Sequence, residues 1–165
     1  MNAQRIYFAK VNERAIIPSK RKEDGAFDIY PCFKEDYRII MPHETELIPT
    51  GLASAFSSAY VAILKERGST GTKGMGQRAG VVDSGYRGEW FIPITNHNKV
   101  PLVIMKAEAK QPKEFGECII YPYEKAISQC VMVEVPQLEV TEMSYEELLK
   151  FESERGVGRL GSSGK

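Results

Sequence analysis

The sequence predicts an all-β fold, and three observations carry that prediction. Short runs rich in β-branched and aromatic residues recur along the whole chain. Proline, glycine or asparagine stands beside or inside most of them, which marks turns, edge strands and bulges. A helix-start pattern occurs once, near the end. Many short strands with one helix fit a sandwich or barrel.

In chain order the expected strands are 38–41, 46–49, 59–64, 90–94, 100–104, 118–121 and 130–135. The Lys20–Gly25 stretch reads as a charged, solvated loop. Residues 106–117 read as a charged extension of a hairpin loop, either plain solvated surface or a docking surface for a regulatory protein. Ser144-Tyr145-Glu146-Glu147 has the form of a capping box, since Ser at the cap and Glu three residues later can bond each other's backbone N–H. It precedes Leu148, Leu149 and Phe151, so a helix is expected from Ser144 to about Glu154, ending near Gly156. The expected division is a β domain over 1–154 and a Gly/Ser-rich arm over 155–165.

Composition narrows the function. At 165 residues and 42% hydrophobic, the chain can bury one real core. Lys plus Arg and Asp plus Glu are each 22, so the basic surplus typical of duplex binding is missing and no nucleic-acid partner is expected. Three widely spaced cysteines and two histidines give no zinc spacing and no disulfide framework. With a polar start and no apolar run near the ~20 residues a bilayer requires, the expected location is the cytoplasm, with no membrane partner.

Five segments carry the chemistry. Gly80-Val81-Val82-Asp83-Ser84-Gly85-Tyr86-Arg87-Gly88 places a carboxylate at a strand-to-turn junction. There Asp83 either activates a water as general base or caps turn amides. Arg67-Gly68-Ser69-Thr70-Gly71-Thr72-Lys73 combines a guanidinium fork, hydroxyls and bare backbone, which suits a phosphate cradle or a polar turn. Ala26-Phe27-Asp28-Ile29 offers one carboxylate, enough for an ion that keeps most of its waters. Ile127-Ser128-Gln129 offers an amide in a strand-like run. The tail from Arg155 through Leu160, Gly161 and Ser162 is a Gly/Ser arm with two arginines. Its Gly156–Gly161 stretch matches G-x-G-x-x-G, but a helix precedes it and no βαβ unit surrounds it, so a dinucleotide site is rejected.

In this order the five segments resemble the trimeric dUTP pyrophosphatase (dUTPase) family, from about Ala26 to the last residue. The resemblance implies a jelly-roll-like β-barrel and a homotrimer with three shared active sites. Motifs one, two and four come from one subunit, motif three from a second and the tail from the third. It implies hydrolysis of dUTP to dUMP and pyrophosphate with Mg²⁺, which keeps uracil out of DNA and supplies dUMP for thymidylate synthesis. Asp83 would activate the water, Tyr86 would pack under the deoxyribose, and Asp28 would reach the Mg²⁺ through water. Arg67, Gly68, Ser69, Gln129 and Arg155 would meet phosphates; Gln77, Gly80 and Val82 would lie near the nucleoside. Leu160, with Gly161 and Ser162, would cover the base from the tail. Four positions depart from the family pattern: Gly68 for the first motif serine, Gln77 for an asparagine, Ala126 for an arginine, and Leu160 for a stacking aromatic. The alternatives are a dCTP deaminase on the related fold and a non-catalytic jelly-roll that binds a regulatory protein.

Overall fold

The computed structural model describes residues 5–112 and 116–158. By contacts the chain forms two compact units, Met1–Val135 and Pro136–Lys165. The first is built from strands in four small sheets. β1 (Tyr7–Lys10) pairs with β5 (Leu52–Ala55). β10 (Leu102–Met105) lies between β3 (Tyr37–Ile40) and β11 (Ile119–Pro122). β9 (Phe91–Asn96) lies between β4 (Thr45–Pro49) and β7 (Met75–Gln77). The fourth sheet runs β2 (Phe27–Ile29), β12 (Ser128–Glu134), β6 (Tyr60–Lys65), β8 (Val81–Val82).

Strand alternation makes the core. In β9, Ile92 and Ile94 point inward and are buried, with Ile29, Ile40, Ile48, Leu64, Leu102 and Ile104 from other strands and Trp90 just before β9. Phe8 meets the Trp90 ring edge-on at 5.4 Å between centroids. Each fully buried aliphatic side chain contributes about 1.5–3 kcal/mol.

The same alternation positions the chemistry. In β12, Ser128 and Cys130 are buried and Gln129 between them points to the other face. Gln129 pairs with Asp28 of β2 on one side and with Lys65 of β6 on the other. Two residues past Lys65 stands Arg67, which precedes a single helical turn, α1 (Gly68–Gly71). Thr70, buried, closes that turn: its hydroxyl accepts from Arg67 N–H at 2.9 Å and donates to Arg67 C=O at 3.0 Å.

Three expectations are corrected. Residues 106–117 do not extend a hairpin. β10 and β11 pair in parallel, and the intervening segment carries the chain back to the start of the sheet, as parallel neighbours require. The terminal helix is short. The capping box at Ser144 forms, with Glu147 N–H on Ser144 Oγ at 3.2 Å and Ser144 N–H on Glu147 Oε2 at 3.1 Å, but α2 spans only Tyr145–Leu148. None of its residues is buried, and so short a helix is marginal without packing. Finally, β1, β2, β5, β7 and β8 add to the strands the sequence marked.

Candidate active site

The residues singled out in the first unit, Gln77 apart, fall into two cavities that share no lining residue.

The first is a polar cleft of about 440 Å³, lined by Ser19, Arg21, Asp24, Gly25, Ala26, Asp28, Arg67, Gly68, Ser69 and Gln129. Asp28 and Arg67, 39 residues apart, form a two-pronged ion pair, with Nε to Oδ1 at 2.8 Å and Nη2 to Oδ2 at 3.1 Å. Arg67 Nη1 also donates to Ser69 Oγ at 3.2 Å and to the Ala126 carbonyl at 3.3 Å. Gln129 Nε2 donates to the Glu66 carbonyl at 2.7 Å, which fixes the amide beside the arginine. One N–H of that amide remains for a ligand. At rest, then, the guanidinium is held by a carboxylate with the same fork geometry that phosphate presents.

The second cavity, of about 280 Å³, is mainly apolar. Leu47, Leu64, Gly80, Val81, Val82, Asp83, Tyr86, Trp90, Phe91 and Pro93 are among its lining. β8 brings Asp83 here. Leu64 N–H donates to the Gly80 carbonyl at 2.7 Å, so the backbone of residue 80 lies against β6. Gly80 sits at φ +120°, and a Cβ there would lie 2.8 Å from the Leu64 carbonyl oxygen, so only glycine fits. A turn follows, closed by Tyr86 N–H on the Asp83 carbonyl at 3.1 Å. Among the described residues the Asp83 carboxylate accepts no hydrogen bond. It does not cap the turn; Arg87 holds that loop instead, donating from Nη1 to the Ser84 carbonyl at 2.6 Å and the Ser54 carbonyl at 3.3 Å. Tyr86 Oη donates to the Glu89 carbonyl at 3.0 Å, and its ring packs against Gly88 where a side chain would collide.

The sequence profile of the dUTPase family matches residues 12–109. The chain belongs to the dUTPase family. A deoxyuridine 5'-triphosphate nucleotidohydrolase of Nautilia profundicola is 33% identical over 165 residues, covering 98% of this chain and 99% of that one. One from Neisseria meningitidis serogroup C is 32% identical over 153 residues, covering 90% and 87%. Among solved structures, a Staphylococcus bacteriophage 80alpha dUTPase mutant with dUpNHpp superimposes with a TM-score of 0.76 at 24% identity, with all of both chains covered. A phage phi11 dUTPase mutant, described with a structural Mg(II) ion, gives 0.67 at 21% identity, covering 86% and 99%. The fold is therefore the jelly-roll-like barrel of the dUTPases.

The remaining candidates sit as follows. Gln77 lines neither cavity. Its Oε1 accepts from Ser128 Oγ at 3.1 Å, and its backbone N–H donates to Glu66 Oε1 at 2.9 Å. That N–H leads the causes that hold the Glu66 carboxyl below the usual carboxylate range. Arg155 belongs to the second unit, where its Nε donates to the Gly158 carbonyl at 3.1 Å. Leu160, Gly161 and Ser162 lie outside the described residues. Among the described residues no group of three His, Cys, Asp or Glu could hold a metal, and no helix is long and apolar enough to cross a membrane.

Two cleft features escaped the sequence. Lys20–Gly25, expected to be solvated surface, supplies Arg21, Asp24 and Gly25 to the cleft wall. Glu66 ties the start of the phosphate segment to β7 and β12, and a carboxylate next to the motif arginine was its only sequence signal. The cysteines carry no site chemistry: burial pushes the Cys130 thiol up to about 12 and raises Cys32 as well.

Proposed function

We propose that the protein hydrolyses dUTP to dUMP and pyrophosphate at sites shared between the chains of a homotrimer. The observation that carries this reading is the gathering of Asp28, Arg67, Gly68, Ser69 and Gln129, distant in sequence, in one polar cleft. The relatives' names as deoxyuridine 5'-triphosphate nucleotidohydrolases support the same substrate.

Arg67 and Ser69 grip the triphosphate, with Gln129 donating its second N–H. Gly68 contributes backbone at the same wall. In the second cavity Tyr86 packs under the deoxyribose, which excludes a ribose hydroxyl by collision. Gly80 and Val82 border the nucleoside there. Asp83, its carboxylate unbonded, takes a proton from water as the water oxygen attacks the α-phosphorus in line. The bond from that phosphorus to the bridging oxygen breaks, and pyrophosphate leaves. Gln77 accepts from Ser128 through Oε1, and an N–H of its amide is the group that would reach the uracil.

The cleft suits Mg²⁺ that arrives with its nucleotide. The Asp28 carboxylate lines the space, and an ion that keeps several waters needs few protein ligands, so Asp28 would reach it through water. When bound, Mg²⁺ neutralises triphosphate charge and fixes the chain's conformation.

In this reading the site joins the grip of one chain to the base of another, and the absence of any lining residue common to the two cavities supports it. The exposed apolar residues around Asp83, namely Leu47, Val81 and Phe91, favour a covering subunit. The arm from Arg155 through Leu160, Gly161 and Ser162 closes over the nucleotide from the third chain, Arg155 meeting the terminal phosphate. Such an enzyme lowers dUTP, keeps uracil out of DNA and feeds thymidylate synthesis with dUMP.

Pyrophosphate release from dUTP, dCTP, dTTP and UTP, with and without Mg²⁺, tests the reading. Magnesium-dependent release from dUTP alone is expected. Ammonia release from dCTP, or silence on all four, would overturn it.

A further inference from the structure

The cleft has a second guanidinium whose role nothing above assigns. Arg21 stands on the wall formed by Ser19, Asp24 and Gly25, in the same cavity as Arg67, Ser69 and Gln129. Its segment is tightly built despite its exposure. Asp24 N–H donates to the Arg21 carbonyl at 3.2 Å, Arg21 N–H to Asp24 Oδ2 at 3.0 Å, and Lys20 Nζ to the Asp24 carbonyl at 2.6 Å. The segment is tied to β2 where it matters, since Asp28 N–H donates to the Ser19 carbonyl at 3.3 Å.

Arg21 and Arg67 rest in the same way but are not equally occupied. Arg21 Nε and Nη2 meet the Asp24 carboxylate at 2.9–3.2 Å, as Arg67 meets Asp28. Arg67 Nη1 has two further acceptors, whereas Arg21 Nη1 has no hydrogen bond among the described residues. Two arginines and two aspartates leave the cleft wall formally neutral. A polyphosphate carries several negative charges, so binding it favours turning at least one guanidinium from carboxylate to phosphate. The Arg21–Asp24 pair is the easier to open, because most of the Arg21 side chain is in water and exposed pairs hold weakly.

We infer that Arg21 is a phosphate-binding residue of this site, which exchanges its resting partner Asp24 for the triphosphate chain opposite Arg67. The inference rests on the proposed dUTP reading. It assigns a recognition role to a loop that sequence alone marks as plain surface. The guanidinium is the right group for the exchange, since its planar fork fits carboxylate and phosphate alike and a lysine ammonium does not reproduce it.

The test measures binding of dUpNHpp and of dUMP, with Mg²⁺, to the full chain and to Arg21→Gln, Arg21→Lys and Asp24→Asn. Arg21→Gln is expected to weaken dUpNHpp roughly tenfold, the size of a hydrogen bond to a charged group. Its dUMP affinity should stay within about twofold, because the missing phosphates are the ones Arg21 would hold. Arg21→Lys should recover part of the loss. Asp24→Asn keeps an oxygen acceptor for the turn and removes the competing charge, so dUpNHpp should bind at least as tightly as to the unaltered chain. Equal dUpNHpp affinity for Arg21→Gln and the unaltered chain would overturn the inference alone. So would an equal loss for dUMP and dUpNHpp, since that marks a distorted loop. An unaltered chain that binds neither nucleotide would remove the dUTP reading itself.

Discussion

The two cavities of the barrel handle charge in opposite ways. Around Arg67 every charge has an internal partner: Arg67 with Asp28, Arg21 with Asp24. Around Asp83 the walls are apolar and the carboxylate has no hydrogen-bond partner among the described residues. A grip can be stored in ion pairs because the incoming phosphate replaces the carboxylate in kind. A general base cannot be stored so, because a capped carboxylate is a poorer proton acceptor. The charge-paired wall and the unbonded carboxylate therefore belong to cavities with no lining residue in common.

Removing the base should separate the two regions most sharply. Asp83→Asn keeps the shape of the turn, so dUpNHpp affinity should hold while turnover falls by about 100-fold or more. Steady-state kinetics beside calorimetric binding check this; unchanged turnover would end the assignment. Deleting residues 155–165 should cost nearly as much activity and almost no stability, since no residue from 136 to 158 is buried. Thermal unfolding of the shortened chain checks the second half, and a chain that fails to fold would make the tail structural.

Arg67→Lys attacks the grip alone. Lysine cannot reproduce the fork that now spans both Asp28 oxygens, so the KM for dUTP should rise about 10- to 100-fold, with the smaller change in kcat. Equal losses in kcat and kcat/KM would instead mean that Arg67 acts only in the transition state.

The smallest effect concerns Glu66. Its carboxyl is held below the usual range, chiefly by the Gln77 N–H, so the folded state favours the ionised form. That stability is present above the unfolded carboxylate pKa of about 4.3 and fades as pH falls through the lower folded value. Glu66→Gln keeps the acceptor and loses the charge. Its deficit against the unaltered chain should be at most about 1 kcal/mol near neutral pH and should shrink as pH falls through the lowered folded value. Denaturant melts across that range measure it; a deficit that grows in acid would contradict the assigned cause.

Much of this was legible in the sequence because the relevant signals are local. β-branched runs such as Tyr60–Lys65 and Ser128–Glu134 declare strands, and the Ser144/Glu147 box declares a helix start. What stayed hidden depends on topology. The Asp28–Arg67 pair spans 39 residues, and only the register of β12 against β2 and β6 brings its flanks together. The parallel pairing of β10 with β11 cannot be read from a charged stretch between two strands. Lys20–Gly25 looked like surface because its charges are exposed, and a cavity wall is exposed too. Helix length failed for a related reason: propensity sets where α2 starts, and packing decides how far a helix runs.

The central claim is that one catalytic site joins the Arg67 cleft of one chain to the Asp83 cavity of another. The most direct test mixes two inactive variants, Asp83→Asn and Arg67→Ala, by unfolding them together and refolding. Sites that take Arg67 from the first variant and Asp83 from the second are complete, so the account predicts that dUTP hydrolysis returns in the mixture and in neither variant refolded alone. A mixture that exchanges subunits, shown by mass spectrometry, yet stays as inactive as its parents would contradict a site shared between chains.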